Sequence, residues 1–270
     1  MRPLKNLPEA DTSQSIQQDL DRPTAVQIYQ QVSRIAKGEL SRTKKALALS
    51  GVVGGLTMGL TGLGVSTVAA AIGHGRGAAF LPFFLYPLGF MAVILGRAQL
   101  FTENTLYPVA LILAERRHFL GTLRLWSIVF PSNIAGALLF ALLCARTGAL
   151  QPAILAAMVK FGTDAASVPW SHVFWSGVVG GWIIAMVAWL VSGSHSITGS
   201  VAVIWSLTFI VGLGHFAHCV ATSGEILAAM LSHQLSALDY LKWLLPATCG
   251  NVMGGVLLVT LLEYGQAKLD

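Results

Sequence analysis

His218 is the side chain in this sequence that most directly suggests a chemistry. It lies in a long apolar run, two residues after Phe216. Histidine changes its charge near neutral pH, so it can exchange a proton or a hydrogen bond with an anion under cellular conditions. Such a contact would lower the large desolvation cost that an anion meets in apolar surroundings. The plainer interpretation is a histidine that only joins two helices by a hydrogen bond.

A metal site or a catalytic site around His218 finds little support in the sequence. His215 could share a helix face with His218, but a metal would need further ligands from a facing segment. A membrane enzyme would need a nucleophile within reach of its base. Ser223 is five residues from His218 and falls on a different helix face. We therefore predict no metal, no other cofactor and no enzymatic activity.

Four polar residues stand out because membrane interiors seldom contain them without a structural or functional reason. Arg97 and Glu103 flank a polar interruption of an apolar segment. We predict that they compensate each other or the local backbone, with direct gating as the alternative. Asn133 and Asn251 each lie in a further apolar segment. We expect them to tie irregular backbone to the helix bundle, with pore contact as the alternative.

The composition predicts a membrane protein. Of the 270 residues, 54% are hydrophobic and 11% are charged, whereas a soluble domain has about 25% charged residues. Eight of the 17 lysines and arginines lie in the first 45 residues, so the net charge of +5 does not indicate a nucleic-acid partner. Basic residues beside apolar segments are instead typical of a protein that sits in lipid. Cys144, Cys219 and Cys249 form neither a disulfide framework nor a zinc motif.

Six apolar segments are long enough to span a membrane, since a spanning helix needs about 20 apolar residues. They are residues 46–73, 78–113, 124–145, 170–193, 197–232 and 241–264. The second and the fifth are too long for one simple span and are interrupted by polar residues and glycines. Residues 1–45 are predicted to form a cytoplasmic arm without a cleaved signal peptide, and its second half is an amphipathic helix that starts near Thr24. Residues 46–265 then form the channel domain and residues 266–270 a cytoplasmic tail.

The distribution of basic residues predicts the orientation, because lysines and arginines accumulate in the cytoplasmic loops of membrane proteins. With six spans, nine basic residues near the span ends fall on one side and four on the other. The nine are Arg34, Lys37, Arg42, Lys44, Lys45, Arg116, Arg117, Arg124 and Lys268, and the four are Arg76, Arg146, Lys160 and Lys242. We therefore predict that both termini are cytoplasmic and that the host membrane is a bacterial inner membrane.

An internal repeat supports a duplication of three spans. The third and sixth segments both contain the pattern N-x-x-G-x-[LV]-L, beginning at Asn133 and at Asn251, which are 118 residues apart. The two interrupted segments lie about 115 residues apart when Phe101 is compared with Phe216. Repeats of three spans each have opposite topology in the membrane. Inverted repeats with matching broken helices indicate a transport site near the middle of the membrane.

Two stretches resemble the formate/nitrite transporter family. Residues 96–106, GRAQLFTENTL, resemble the loop that breaks the second helix of that family, and residues 216–222, FAHCVAT, resemble its signature after the fifth-helix break. The FTEN-type loop is most similar to the YfdC-like subgroup. The resemblance covers about residues 25–265. It implies a homopentamer of all-α, aquaporin-like protomers, each with six transmembrane helices in two inverted repeats and its own pore for a small monovalent weak-acid anion.

The resemblance also implies where the pore lies. Its matched positions place Leu100, Phe101 and Thr102 at a cytoplasmic constriction, with Phe90 at a narrow apolar position and Tyr86 on the periplasmic side. The other implied pore residues are Val211, the central His218 and Thr222. In this interpretation an anion gains a proton or a hydrogen bond at the histidine and crosses the apolar constriction without a full charge.

Several positions depart from the family pattern. The family's glutamate before the histidine is Ala217 here, an asparagine after it is Thr222, and an asparagine of the fourth helix aligns with Gly181. A basic residue at the entrance aligns near Ala165, and Lys160 is out of register with it. These changes remove polar groups that attract anions, so a passive pore for a small neutral solute stays open as the alternative function.

Overall fold

The computed structural model describes residues 23–72 and 79–269, and within these ranges the chain is helical and contains no β-strand. The helices are α1 (Ala25–Ser41), α2 (Lys44–Ile72), α3 (Pro87–Leu95), α4 (Tyr107–Glu115), α5 (Phe119–Arg146), α6 (Pro152–Ala166), α7 (Trp170–Ser192), α8 (Ile197–Leu213), α9 (Ala221–Leu231), α10 (Ala237–Met253) and α11 (Leu262–Leu269). Short 3₁₀ helices cover Leu81–Leu85 and Glu103–Thr105, and a π-helical stretch, Gly254–Leu261, joins α10 to α11.

Four helical stretches are long and apolar enough to cross a membrane: Lys44–Ile72, Phe119–Arg146, Trp170–Ser192 and Ala237–Leu269. They correspond to the first, third, fourth and sixth predicted segments. The second and fifth segments are each divided, into α3 and α4 and into α8 and α9. The last helix continues to Leu269, so the predicted C-terminal tail is largely helical.

The N-terminal helix α1 begins where the sequence predicts. The Thr24 hydroxyl accepts a hydrogen bond from the Gln27 amide at 3.3 Å, and the Gln27 side chain accepts one from the Thr24 amide at 2.8 Å. This reciprocal pair satisfies donors that a helix start otherwise leaves free. The apolar face of α1 buries Val32 against α4 and α7. Residues 1–22 of the predicted arm lie outside the described residues, as does Arg76.

An ion cluster fixes the far end of α1 to the turn between α4 and α5. Glu115 pairs with Lys37 at 2.5 Å, with Arg117 at 2.5 Å and with His118 at 2.9 Å. The Lys37 ammonium, followed by His118 and Arg117, lowers the pKa of the Glu115 carboxyl to about 2. The carboxylate therefore stays ionised at every physiological pH and keeps α1 in place over the bundle.

The hydrophobic pattern of the sequence does not predict α6. This helix starts at Pro152, a residue well suited to the first helical position, and it packs against α9 and α2. Its position matches that of α1, which packs against α4 and α7. Each half of the protein therefore consists of an entry helix, a long helix, a broken helix and a second long helix. Helix α6 has 15 residues, which are too few for a span, and the charged Lys160–Asp164 pair on its surface made the segment resemble a loop.

The two long helices of each half touch through their backbones. A Cβ atom built on Gly55 of α2 would lie 2.6 Å from the carbonyl carbon of Asn133, and one on Gly181 of α7 would lie 2.5 Å from the Cα of Asn251. Small residues allow such close approach between membrane helices. The contact also explains one departure from the family pattern, because no side chain fits at Gly181 unless α7 and α10 separate.

We expect Gly181→Ala to destabilise the protein by about 1–3 kcal/mol, the usual cost of overpacking a close contact. Thermal unfolding in detergent, followed by tryptophan fluorescence, measures the change. Gly38→Ala is the matched control, because a Cβ there would have no neighbour within 4 Å. Equal unfolding temperatures for the two variants would contradict the close contact.

Candidate functional site

The break between α3 and α4 begins with a backbone reversal at Arg97. This residue has a left-handed φ of 58°, and the next amide, that of Ala98, donates to the Val93 carbonyl at 3.1 Å. Such a terminus resembles the common left-handed ending of a helix. The chain then runs without regular structure to the 3₁₀ helix that starts at Glu103.

The break between α8 and α9 repeats the same geometry 118 residues later. His215 has a φ of 52°, and the Phe216 amide donates to the Val211 carbonyl at 3.0 Å. Arg97, Ala98 and Val93 therefore correspond to His215, Phe216 and Val211. The comparison of Phe101 with Phe216 in the sequence was wrong by three residues. It matched residue types, whereas the backbone geometry places Phe216 opposite Ala98.

Asn133 and Asn251 bind the two breaks in the same way. The Asn133 side chain accepts from the Phe101 amide at 2.8 Å and donates to the carbonyls of Gln99 at 2.8 Å and Gly51 at 2.7 Å. Both asparagines are fully buried. The irregular backbone of each break is thus satisfied within the protein, as membrane interiors require.

The second set of these bonds has the same pattern. The Asn251 side chain accepts from the Cys219 amide and donates to the carbonyls of Ala217 and Gly177, each at 2.8 Å. Cys219 and Ala217 lie 118 residues after the corresponding partners of Asn133. The two halves therefore share one internal bonding pattern.

His218 lies between the two breaks and is fully buried. Its Nδ1 accepts a hydrogen bond from the Ala221 amide at 3.0 Å, so Nδ1 carries no proton. The neutral ring then carries its proton on Nε2, which lies 2.8 Å from the Thr102 hydroxyl oxygen and donates to it. The Phe90 ring meets the imidazole edge-on at a centroid distance of 5.0 Å. The histidine thus joins the second break to the first.

Two cavities lie on either side of the buried residues around His218. The Arg97 cavity, of about 150 Å³, is lined by α1 and the first break and includes Glu39, Gln99 and Glu103. The Glu225 cavity, of about 300 Å³, is lined by the second break and helices α6 to α10. The Phe90 ring contacts both Tyr86 of the Glu225 cavity and His218, and His218 is bonded to Thr102, two residues after Leu100 of the Arg97 cavity. Phe90, His218, Thr102 and Leu100 form this buried histidine layer.

The predicted pore residues divide between these places. Leu100 lines the Arg97 cavity, and the residues that line the Glu225 cavity are Tyr86, Val211 and Thr222. Phe101 lines neither cavity: its ring packs against Trp126 and Phe130 of α5, with centroids 5.7 and 4.8 Å away.

The predicted compensation between Arg97 and Glu103 is not a direct ion pair. Both residues line the Arg97 cavity, but among the described residues no ion pair within 4.0 Å joins them. Gln99 was not singled out from the sequence, although it connects three segments at this cavity. Its side chain donates to Glu39 of α1 at 2.7 Å and accepts from Asn104 at 2.9 Å.

The remaining groups near His218 have other partners. The Ser223 hydroxyl bonds to the Cys219 carbonyl at 2.6 Å and to the Tyr240 hydroxyl at 2.9 Å, so it is not paired with His218. Across residues 23–72 and 79–269, no group of three or more metal-ligating side chains comes together. Glu225 of α9 lines the cavity that is named after it.

An all-helical membrane protein with two broken helices, a buried histidine between them and a cavity on each side has the architecture of a transport protein. The chain belongs to the formate/nitrite transporter family, whose model matches residues 26–265. That family consists of channels and transporters, so the protein is not an enzyme.

The relatives agree with this assignment. The chain is 29% identical over 267 residues to "Inner membrane protein YfdC" of Escherichia coli (strain K12), covering 97% of this chain and 86% of that protein. It is 28% identical to the "Probable formate transporter" of Methanothermobacter thermautotrophicus, covering 72% of this chain and 78% of the relative. The fold is similar to a solved "Pentameric formate channel with formate bound", with a TM-score of 0.72 at 18% identity, covering 85% of this chain and all of that chain.

Proposed function

We propose that the protein is a membrane channel or transporter for a small monovalent weak-acid anion such as formate or nitrite. The observation that carries the proposal is the bond between His218 and Thr102, which lies in a buried layer between two cavities. Family membership and the formate-related names of two similar proteins support the same substrate class.

The geometry suggests how the pair acts. Because Nε2 donates to the Thr102 oxygen, the Thr102 hydroxyl keeps its own hydrogen, and the described residues provide no acceptor for it. An anion in the layer can accept that hydrogen bond, which is the interaction that the surrounding Phe90 and Leu100 cannot supply. Hydrogen bonding or transient protonation at this point would let the anion pass with a reduced charge, which lowers its desolvation cost.

The assembly that we propose is the one that membership of the family implies. We propose six spans, with α3 and α4 forming the second and α8 and α9 the fifth, in two inverted repeats that build an aquaporin-like protomer. The similar pentameric channel supports a homopentamer with one pore in each protomer. The name of the YfdC relative supports a bacterial inner membrane, with lipid around the protein. The basic residues near the span ends support cytoplasmic termini.

A pore for a small neutral solute is the second candidate. Of the described residues that line the Glu225 cavity, none is lysine or arginine. Lys160 is exposed and bonded to Asp164, and Ala165 occupies the wall where the family pattern has a basic residue. Without a fixed positive charge the cavity has no strong electrostatic attraction for a bare anion.

Uptake into proteoliposomes distinguishes the two functions. We expect formate or nitrite to enter faster at about pH 5 than at about pH 8, because protonation lowers the cost of crossing the apolar layer. Acetate, lactate and hydrosulfide test the size limit, glycerol serves as the neutral solute, and liposomes without protein give the background. Entry of glycerol alone, with no dependence on pH, would favour the neutral-solute pore and contradict anion transport.

A further inference from the structure

Glu225 has a buried carboxyl group that plays no part in the transport route proposed above. It lies on α9, is 8% exposed and lines the Glu225 cavity. No hydrogen bond or ion pair engages its carboxyl group among the described residues. Buried charged side chains in membrane proteins are normally paired or functional. An unpaired carboxyl group on the wall of a cavity therefore needs an explanation.

The neighbouring helices make room for this side chain. A Cβ atom on Gly62 of α2 would lie 2.9 Å from the Glu225 Cγ and 3.1 Å from its Oε1. A Cβ atom on Gly162 of α6 would lie 2.7 Å from the Glu225 carbonyl carbon. Both neighbouring helices thus have glycine where α9 approaches, and the carboxyl group fits between α2 and the cavity.

The groups around Glu225 do not neutralise it with a fixed positive charge. The other titratable side chains that line the cavity are Asp164, His172, His215 and Tyr86. On the helices packed against α9, several other titratable groups do not line the cavity: Cys144 and Arg146 of α5, Lys160 of α6, and Asp239, Tyr240, Lys242 and Cys249 of α10. Lys44, Lys45 and Arg124 lie at the ends of α2 and α5 away from Gly62 and Phe140, which contact α9.

We propose that the charge of Glu225 controls the entry of substrate into the pore. The Glu225 cavity admits a monovalent anion when Glu225 is protonated and rejects it when Glu225 is ionised. An ionised carboxylate repels an anion strongly in a confined cavity of low dielectric constant. A protonated carboxyl group has no charge and offers one O–H donor to the anion. The inference rests on the proposed transport function and assigns its selectivity to a residue outside the histidine layer.

The first test compares formate uptake by the parent protein and by Glu225→Gln between about pH 5 and about pH 8. Glutamine keeps the shape and a donor but cannot ionise. We expect the variant to take up formate about tenfold faster than the parent at the high end of this range and at a similar rate at the low end. Glu225→Asp, which can still ionise, is expected to keep a pH-dependent profile.

Glu263→Gln is the matched control for uptake, because Glu263 lies on α11 and lines neither cavity. Its profile is expected to equal that of the parent. If the profile of Glu225→Gln coincides with the parent's, the role of Glu225 is refuted while anion transport stands. If the parent takes up no anion at any pH, the proposed function itself fails, and that result is distinct from the first.

A second measurement examines the cavity without relying on transport. Trp243 lines the Glu225 cavity, so its fluorescence reports which ions enter. Iodide quenches tryptophan and stays ionised at every pH used. We expect quenching of Trp243, taken as the difference between the parent and Trp243→Phe, to increase as pH falls, and the increase to be much smaller in Glu225→Gln. Quenching in the parent that does not change with pH would overturn the inference even if the glutamine variant did not assemble.

Discussion

His218→Ala is expected to slow formate uptake by about 10- to 100-fold at low pH. The substitution removes the donor that orients the Thr102 hydroxyl and leaves the Ala221 amide without its partner. A hydrogen bond to a charged group contributes about 1.5–3 kcal/mol, and 1.36 kcal/mol corresponds to about tenfold in rate. Initial rates in proteoliposomes with equal amounts of reconstituted protein measure the effect.

Two Thr102 variants separate the hydrogen bond from the packing. Thr102→Val keeps the size of the side chain but has no hydroxyl, so we expect it to lose uptake as His218→Ala does. Thr102→Ser keeps the hydroxyl and is expected to retain most of the rate. Full activity in both His218→Ala and Thr102→Val would mean that the buried pair is only a contact between the two broken helices.

Much of this architecture can be predicted from the sequence, because the patterns that predict it are local. Four apolar segments match four long helices, and the interruptions around Arg97 and His215 mark the two breaks. The motifs at Asn133 and Asn251 give the correct repeat distance of 118 residues. Applied to the breaks, that distance would also have paired Gly96 with Gly214, the residues that directly follow α3 and α8.

The remaining features depend on which neighbour each helix face meets. Helix α6 is short and amphipathic, and its role becomes visible only when it packs against α9. Phe101 is next to Thr102 in sequence, yet its ring contacts Trp126 and Phe130 because the chain turns at this point. The direction of Glu225 depends on the rotation of α9, which the close contacts at Gly62 and Gly162 fix.

Asn251→Ala is expected to cause the largest loss of stability among the substitutions considered. It leaves the amide of Cys219 and the carbonyl of Ala217 without partners, and it takes one of two hydrogen bonds from the carbonyl of Gly177, which lies inside α7. An unsatisfied buried group costs about 1–3 kcal/mol, so two of them predict a loss of about 2–6 kcal/mol, a large part of the usual stability of about 5–15 kcal/mol. Thermal unfolding in detergent and the yield of assembled protein measure it.

Because the two halves are equivalent, the same loss of stability is predicted at the first break. Asn133→Ala removes the same three kinds of bond at the first break, so its effect should equal that of Asn251→Ala within about 1 kcal/mol. Thr248→Ala is the control, since Thr248 lies one turn before Asn251 on α10 and its hydroxyl donates to the Leu244 carbonyl in its own helix. A small effect at Asn251 together with a large one at Asn133 would contradict a shared scaffold. Equal large losses would mean that each break keeps its shape through a single asparagine, which holds His218 and Thr102 at bonding distance.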